Sequence, residues 1–221
     1  LEGETEAVRG LSLEVWPGEF VGIVGQSGCG KSTLLSLIAG ILEPTSGEVL
    51  IDGRAVDGPS PICGYMLQQD YLFEWRTILD NVLIGPEIQG LNIAKARDKA
   101  MKLLQSYGLG EFTAHYPHQL SGGLRQRAMI ALGLAGDPAL LIADEPTTGL
   151  DAPTQARIVE LLRDLVERRG LAMLIISHDL DVVASCADQV AVMYAGEIVE
   201  QGPTRMVLDT PAHPYTRGLV A

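Results

Sequence analysis

The chain has 221 residues, a length that suits one large domain or a core with a smaller lobe. Its residues are 47% hydrophobic and 20% charged, a composition that excludes disorder. Its 28 acidic and 16 basic residues give a formal charge of −12, which argues against nucleic acid as the main partner. No stretch has the roughly 18 apolar residues that cross a bilayer, and no secretory signal opens the chain. We therefore expect any role at a membrane to come through a partner.

Short strands and one helix are predicted in the first quarter of the chain. Residues 11–15 alternate apolar and polar side chains as a half-buried strand does, whereas 20–24 form an apolar run typical of a buried strand. A Gly-rich segment separates that run from a helix predicted over 31–42. A further strand is predicted over 48–52, closed by a turn at Asp52 and Gly53.

Helices and strands alternate through the rest of the chain. Helices are predicted over 92–107, 121–135 and 153–169, strands over 140–143 and 171–176, and a hairpin over 190–200. This order predicts an α/β fold with a largely parallel sheet and an antiparallel β portion. We predict that 73–119 forms a helical subdomain inserted into a catalytic core made of 1–72 and 120–221.

A phosphate-binding loop is predicted where the apolar run meets the first helix. It comprises Gly25, Gln26, Ser27, Gly28, Cys29, Gly30, Lys31, Ser32 and Thr33. Glycines let successive backbone N–H groups point at phosphate oxygens, and the helix N-terminus favours an anion. Lys31 is then expected to reach the β- and γ-phosphates of a nucleotide, and Ser32 to offer a hydroxyl to Mg²⁺. Cys29 is interpreted as a small filler of the loop rather than a redox group.

Two carboxylates, Asp144 and Glu145, follow the buried strand predicted over 140–143. A strand end beside a phosphate loop is where phosphoryl-transfer enzymes place a metal-binding Asp, so Asp144 is expected to hold Mg²⁺ directly or through water. Strand alternation would point Glu145 the other way, where it could polarise the attacking water.

A second anion-binding nest is predicted where Ser121, Gly122 and Gly123 open a helix. One nucleotide has little use for two phosphate sites on one chain, whereas two facing chains could each supply this nest to the γ-phosphate bound by the other. The alternative is an ordinary loop with a helix cap, and the position of the segment shortly before Asp144 argues against it.

The chain resembles the ATPase subunits of ABC transporters over nearly its full length. The resemblance rests on five motifs in the family's order, which are the P-loop at 25–33, the glutamine loop at Gln68, the signature at 120–124, the Walker B strand at 140–145 and the histidine loop at His178. Residues 148–151 also resemble the family's D-loop, which ends at Asp151. The resemblance implies a P-loop NTPase that uses ATP and Mg²⁺ and pairs with a second ATPase domain, as a homodimer or heterodimer.

The resemblance also implies roles that the residues alone do not. Gln68 would contact Mg²⁺ or the attacking water and link the core to the helical subdomain, with Gln69 as the competing candidate. His178 would contact the γ-phosphate and hold Glu145 in position. The expected partners are transmembrane permease subunits and an extracytoplasmic substrate-binding protein, with the chain held on the cytoplasmic face of the cell membrane. Trp75 is a candidate permease contact, or alternatively a core residue of the helical subdomain.

Two departures from the family pattern bear on these expectations. No aromatic residue precedes Trp16, so none is assigned to stack on adenine, and we expect the strand that would carry it to be missing. Residues 64–90 resemble nitrate/sulfonate/taurine-type importer ATPases, whereas 142–221, which include the segment from Pro211 to Arg217, resemble dipeptide/oligopeptide/nickel-type ones. A natural intermediate and an engineered chimera both fit this mixture.

Rival functions fit the sequence less well. A DNA-repair ATPase of the family needs a long coiled-coil insert, a ribosomal one usually carries two such domains, and a simple P-loop kinase gives no reason for the signature. The widely spaced Cys29, Cys63 and Cys186 indicate a reduced, cytosolic setting without a metal cluster. The remaining histidines are interpreted as loop or surface residues, namely His115, His118 and His213.

Overall fold

The computed structural model of the chain describes residues 6–68 and 71–221. Its strands are β1 (Phe20–Val24), β2 (Leu50–Ile51), β3 (Arg54–Ala55), β4 (Cys63–Met66), β5 (Leu140–Asp144), β6 (Ala172–Ile176), β7 (Gln189–Tyr194) and β8 (Glu197–Pro203). Its α-helices are α1 (Lys31–Ile38), α2 (Ile78–Val82), α3 (Ile84–Ile88), α4 (Ile93–Ser106), α5 (Gly122–Leu134), α6 (Ala152–Arg169), α7 (Leu180–Cys186), α8 (Thr204–Asp209) and α9 (Pro214–Val220). Short 3-10 turns cover Gly110–Phe112 and Pro117–Gln119.

Six strands form one sheet in the order β4-β5-β6-β1-β7-β8, and β2 pairs with β3 in a separate antiparallel hairpin. β1 lies parallel between β6 and β7, and β5 lies parallel between β4 and β6. The edge strand β8 runs antiparallel to β7. The predicted α/β fold, with a largely parallel sheet and an antiparallel portion, is therefore confirmed.

Side chains that alternate along the strands pack into a core on each face of the sheet. On one face, Val21 and Ile23 of β1 lie in a cluster with Leu34 and Leu35 of α1. On the other face, Phe20 lies in a larger cluster that includes buried residues of α2, α4, α5 and α6. β1, β5 and β6 are buried along their whole length, as expected of parallel strands covered on both sides. The two cores fix the strand ends from which the loops emerge.

In the segment between β4 and α5, every regular element that the structure describes is helical. Ala100, Leu103 and Leu104 of α4 are buried, which confirms that this apolar face is a packing surface. α2 and α4 both contact α5, and α5 also contacts β4 and α6. The boundaries of a helical subdomain at 73 and 119 stay a prediction, with α5 as the element that joins the segment to the sheet. Among the described residues, no helix combines the length and the apolar character needed to cross a bilayer.

Three predicted elements differ from the structure. The strand predicted over 11–15 is wrong, because these residues form no sheet ladder, although Leu11, Leu13 and Val15 do turn their side chains toward a core. The helix predicted over 31–42 ends at Ile38, where Gly40 takes a left-handed φ of 71° and the N–H groups of the next two residues bond back to Ser36. The strand predicted over 48–52 is reduced to the short hairpin of β2 and β3, whose turn at Asp52 and Gly53 is confirmed.

Candidate functional site

Four neighbouring parallel strands end at the same edge of the sheet, and each is followed by a residue that the sequence analysis singled out. Gln68 follows β4, Asp144 and Glu145 close β5, His178 follows β6, and the P-loop at 25–33 follows β1. Ligands of open α/β sheets bind at this carboxyl edge. The strand order therefore brings together segments that lie more than 100 positions apart in the chain.

The backbone of the P-loop depends on its glycines. Gly25 has a φ of 155°, and a Cβ placed on it would come within 2.3 Å of the Met193 carbonyl oxygen. Gly30 has a φ of 105°, and its Cβ would come within 2.4 Å of the Ala7 carbonyl oxygen. An L-residue with a side chain is strained at both φ values and also lacks room. Neighbouring backbone thus holds the loop in one curved path that ends at the first turn of α1.

Lys31 arches back over the P-loop. Its Nζ atom donates hydrogen bonds to the carbonyl oxygens of Gly25, at 2.7 Å, and of Gln26, at 2.8 Å. The thiol of Cys29 lies 3.7 Å from the same ammonium group and is 2% exposed. This burial favours the interpretation of Cys29 as a filler of the loop. Ser32, at the start of α1, is exposed.

Asp144 is a buried carboxylate that would gain from a cation. Its exposed fraction is 7%, and burial raises its pKa, the negative charge of Glu145 raises it further, and Lys31 opposes the shift. The described residues contain no cluster of three or more His, Cys, Asp or Glu side chains that could cage a metal by themselves. Mg²⁺ commonly takes one or two carboxylate or hydroxyl ligands together with substrate phosphates. The oxygen donors of Asp144 and Ser32 therefore fit a Mg²⁺ bound along with a nucleotide.

Glu145 is held in place by two side chains. Its Oε2 atom lies 2.7 Å from Nδ1 of His178 and accepts a hydrogen bond of 2.9 Å from the Thr148 hydroxyl. Because β5 ends at Asp144 and Glu145 has a left-handed φ of 52°, a backbone turn, and not the strand alternation that we expected, sets its direction. Such a φ costs of order 1–3 kcal/mol in a non-glycine residue, a strain that the surrounding contacts must maintain.

His178 combines exposure with a fixed position. Its side chain is 71% exposed, whereas that of Glu145 is 11% exposed. The next residue, Asp179, caps α7 through the N–H groups of Asp181 and Val182. Asp179 also accepts a hydrogen bond of 3.0 Å from the side-chain amide of Gln155. With Nδ1 directed to Glu145, the Nε2 atom of His178 is left for a ligand.

The signature segment lies against the D-loop of the same chain. Ser121 is the exposed N-cap of α5 and makes no side-chain cap bond. Gly122 and Gly123 are helical and have no left-handed φ, so the segment is a helix N-terminus and not the curved nest that we expected. A Cβ on Gly122 would lie 3.2 Å from Leu150, and one on Gly123 would lie 2.5 Å from the Thr154 methyl group. These glycines therefore permit a close approach to Leu150 and Thr154, which lie on either side of Asp151.

Asp151 and Gln68 complete the predicted site. Asp151 caps α6 by accepting a hydrogen bond of 2.8 Å from the Thr154 N–H, and hydrogen bonding to Thr154 lowers its pKa. Gln68 is exposed beyond the end of β4, and its competitor Gln69 lies outside the described residues. Trp75 is 73% exposed and its ring lies 4.8 Å from that of Phe73, which argues against a core position.

Sequence reasoning missed two side-chain contacts to the site. Thr148 lies one short turn beyond Glu145, so its spacing was visible, but its hydroxyl contact was not. Tyr215 contacts Gln26 of the P-loop, 189 positions away in sequence, and no local sequence pattern predicts a contact over that distance. The histidines outside the edge lie apart, since His118 faces Glu74 and His213 caps the backbone of Tyr215.

A phosphate loop between a buried parallel strand and a helix, with buried carboxylates at the end of a neighbouring strand, defines a P-loop nucleotide-binding protein. The family model described as ABC transporter matches residues 8–148. The chain belongs to the ABC transporter family.

Individual relatives agree with this assignment. The chain is 42% identical to the methionine import ATP-binding protein MetN of Mesorhizobium japonicum over 99% of its own length and 62% of that protein. It is 40% identical to the dipeptide transport ATP-binding protein DppD of Lactococcus lactis subsp. cremoris, over 99% of the chain and 68% of that protein. The chain thus spans less than two thirds of the length of the MetN proteins that it matches. The resemblance of 64–90 to nitrate-type ATPases stays a prediction.

Solved structures show the same fold. One is the dimeric post-hydrolysis state of the ATP-binding cassette MJ0796 bound to ADP and Pi, whose sequence is 32% identical to this chain. The two folds superpose with a TM-score of 0.78 over 92% of this chain and 93% of that one. A nucleotide-free ATP-binding cassette from an ABC transporter is 26% identical with a TM-score of 0.88, covering 100% of this chain and 95% of that one.

Proposed function

We propose that the chain hydrolyses ATP between two facing ATPase domains and so powers uptake through the separate permease of an ABC importer. The observation that carries this proposal is the 2.7 Å contact between His178 and Glu145 at the carboxyl edge of the sheet. A carboxylate fixed beside a phosphate loop suits the activation of a water molecule. The importer part rests on the likeness to ATP-binding proteins for methionine import and dipeptide transport.

Each residue of the edge has its own part in the proposed reaction. Lys31 turns from the loop carbonyls to the β- and γ-phosphates, where its charge stabilises the transferred group. Glu145 orients and polarises the attacking water, and His178 keeps the carboxylate in place and contacts the γ-phosphate. Ser32, Asp144 and Gln68 would hold Mg²⁺, which neutralises charge on the phosphates when bound.

The rate of ATP hydrolysis by the purified chain and its variants tests the proposed reaction directly. Lys31→Ala is expected to lose ATP hydrolysis, because it removes the ammonium group that the P-loop holds at Gly25 and Gln26. Lys102→Ala, which removes an exposed lysine of α4, is the matched control and is expected to hydrolyse ATP at the wild-type rate. A Lys31→Ala protein that matches the Lys102→Ala rate would refute the P-loop assignment.

Completion of the site by a second chain is part of the proposal. The N-terminus of the 13-residue helix α5 carries an exposed Ser121, so its hydroxyl and the helix dipole suit a γ-phosphate bound elsewhere. Two chains related by a twofold axis would give two sites, each with one P-loop and one opposing signature. The dimeric post-hydrolysis cassette, at 32% identity, supports this arrangement.

The helical subdomain at 73–119 is the proposed contact to the permease. Phe73 and Trp75 expose an aromatic pair shortly after Gln68, where a change at the nucleotide could be passed on. The chain would then sit on the cytoplasmic face of the cell membrane, held by permease subunits that a substrate-binding protein supplies with cargo.

Two tryptophans of similar exposure allow a matched test of the permease contact. Trp75→Ala is expected to leave ATP binding by the isolated domain unchanged and to uncouple transport in the assembled complex. Trp16, which is 64% exposed, gives the control variant Trp16→Ala, for which normal transport is expected. Normal transport by a correctly folded Trp75→Ala complex would contradict the assignment.

A further inference from the structure

The P-loop is held from the far end of the chain. The hydroxyl oxygen of Tyr215, on α9, accepts a hydrogen bond of 2.9 Å from the backbone N–H of Gln26. Gln26 follows Gly25 at the first turn of the P-loop, and the two partners are 189 positions apart in sequence. Tyr215 belongs to the segment from Pro211 to Arg217, which the proposed ATPase function leaves without a role.

Several contacts fix the position of Tyr215. Its ring lies 4.5 Å from that of Tyr194 at the end of β7, and its own N–H donates to Nδ1 of His213. The carboxylate of Glu200 accepts the N–H groups of Ala212 and His213 at 2.8 and 3.0 Å. The side chain also packs on the cluster that contains Val24 of β1. The hydroxyl therefore reaches the loop from an anchored backbone, so little conformational entropy opposes the contact.

Gln26 is bound on both sides of its backbone. Tyr215 takes its N–H, while Lys31 donates to its carbonyl oxygen and to that of Gly25. In the proposed reaction the ammonium of Lys31 turns to the phosphates of ATP, which weakens its hold on both carbonyls. The Tyr215 contact uses a different atom and does not compete with the nucleotide for Lys31.

We propose that Tyr215 is a positioning residue for the P-loop, which keeps the Gly25–Gln26 turn in its phosphate-binding form before and during ATP binding. A loop that is already ordered loses less entropy when the ligand binds, so the contact lowers the Kd for ATP. The inference rests on the proposed function for its ATP part, whereas the contact itself exists without nucleotide. It makes α9 the element through which the C-terminal end of the described chain acts on the nucleotide site.

Tyr215→Phe tests the inference, because it keeps the ring against Tyr194 and removes only the acceptor oxygen. Tyr194→Phe is the matched control, which removes a hydroxyl from the other ring of the pair. Amide hydrogen exchange at Gln26 in the nucleotide-free protein should be about fivefold faster in Tyr215→Phe and unchanged in Tyr194→Phe, as expected for loss of one hydrogen bond. The Kd and KM for ATP should rise by a similar factor, with kcat at saturating ATP unchanged and the Tm lower by at most about 4 °C, the shift that one hydrogen bond allows.

The outcomes separate this inference from the proposed function. Exchange at Gln26 that is equal in wild type and Tyr215→Phe overturns the inference, as does faster exchange with an unchanged Kd for ATP. A wild-type protein that binds no ATP overturns the proposed function, and the exchange measurement identifies that case because it needs no nucleotide.

Discussion

Gly123→Ala is expected to destabilise the protein, because the added methyl group has no space. A Cβ at this position would lie 2.5 Å from the methyl carbon of Thr154 and 3.9 Å from its Cβ. Ordinary contacts between carbon atoms are about 3.5–4.0 Å, so α5 and α6 must separate by about 1 Å or Thr154 must change rotamer. Overpacking of this kind costs about 1–3 kcal/mol, and the better helix propensity of Ala returns at most about 1 kcal/mol.

The expected net loss of about 1–2 kcal/mol corresponds to a Tm that is about 2–8 °C lower for a domain of this size. Gly218→Ala is the matched control, because a Cβ there meets nothing within 4 Å and the residue lies within α9. That variant is expected to keep or slightly raise the Tm. Thermal unfolding followed by circular dichroism measures all three proteins.

A double variant isolates the clash. Thr154→Ser removes the one methyl group that the new Cβ would meet at 2.5 Å, so Gly123→Ala combined with Thr154→Ser should recover the Tm of Thr154→Ser alone. Recovery of ATP hydrolysis in the double variant would show that Gly123 is needed for close packing against Thr154. A Tm that Gly123→Ala leaves unchanged, or that the second substitution fails to restore, would show that the new Cβ does not clash with the Thr154 methyl group.

Two further predictions concern the carboxylates. Thr148→Val should lower kcat about tenfold with KM for ATP unchanged, because Glu145 loses one of its two hydrogen bonds, each worth about 1.5–3 kcal/mol at a charged group. Steady-state ATP hydrolysis measures this change, and the control Thr148→Ser should keep the wild-type rate. Equal rates for the Val and Ser variants would contradict the prediction. Asp144→Asn should raise the Tm of the nucleotide-free protein in EDTA, because it neutralises a buried charge next to Glu145. The same variant should not hydrolyse ATP, because the proposed Mg²⁺ ligand loses its charge. A lower Tm would contradict the prediction.

The sequence predicted best those elements whose stability is set by long apolar patterns. The helices expected over 92–107 and 153–169 form within one residue of the expected ends, because an apolar stripe over several turns has few other ways to be buried. The helix expected over 121–135 also forms within one residue of its expected ends, although its buried residues follow no single stripe. The segment 11–15 shows the limit of a short pattern. Its side chains alternate as expected, but a ladder needs a partner strand, and the pattern carries no information about the partner.

The positions of the candidate site residues were largely predictable, whereas their contacts were not. Glycine spacing and strand ends placed the P-loop, Asp144 and Glu145 on one edge, because the carboxyl ends of parallel strands meet there. The left-handed φ of Glu145 and its bond to Thr148 follow from a backbone turn that no propensity encodes. The strand β4 was also missed, since Gly64 interrupts the short apolar run of Cys63 to Met66, and pairing with β5 makes it a strand.

Glu145→Gln tests whether two chains share each ATP site. Glutamine keeps the shape of the side chain and removes the charge that orients the attacking water, so ATP should bind and stay intact between two chains. The matched variant Glu145→Gln with Ser121→Arg should bind ATP equally well and fail to pair, because Ser121 lies at the exposed start of α5. If Ser121→Arg weakened ATP binding, the signature would belong to its own chain's site.

Size-exclusion chromatography with light scattering in MgATP gives the mass of each complex. In MgATP, Glu145→Gln is expected to have twice the chain mass of 23.6 kDa, and without nucleotide the single mass. A Glu145→Gln protein that holds ATP and remains a monomer at every protein concentration would contradict it.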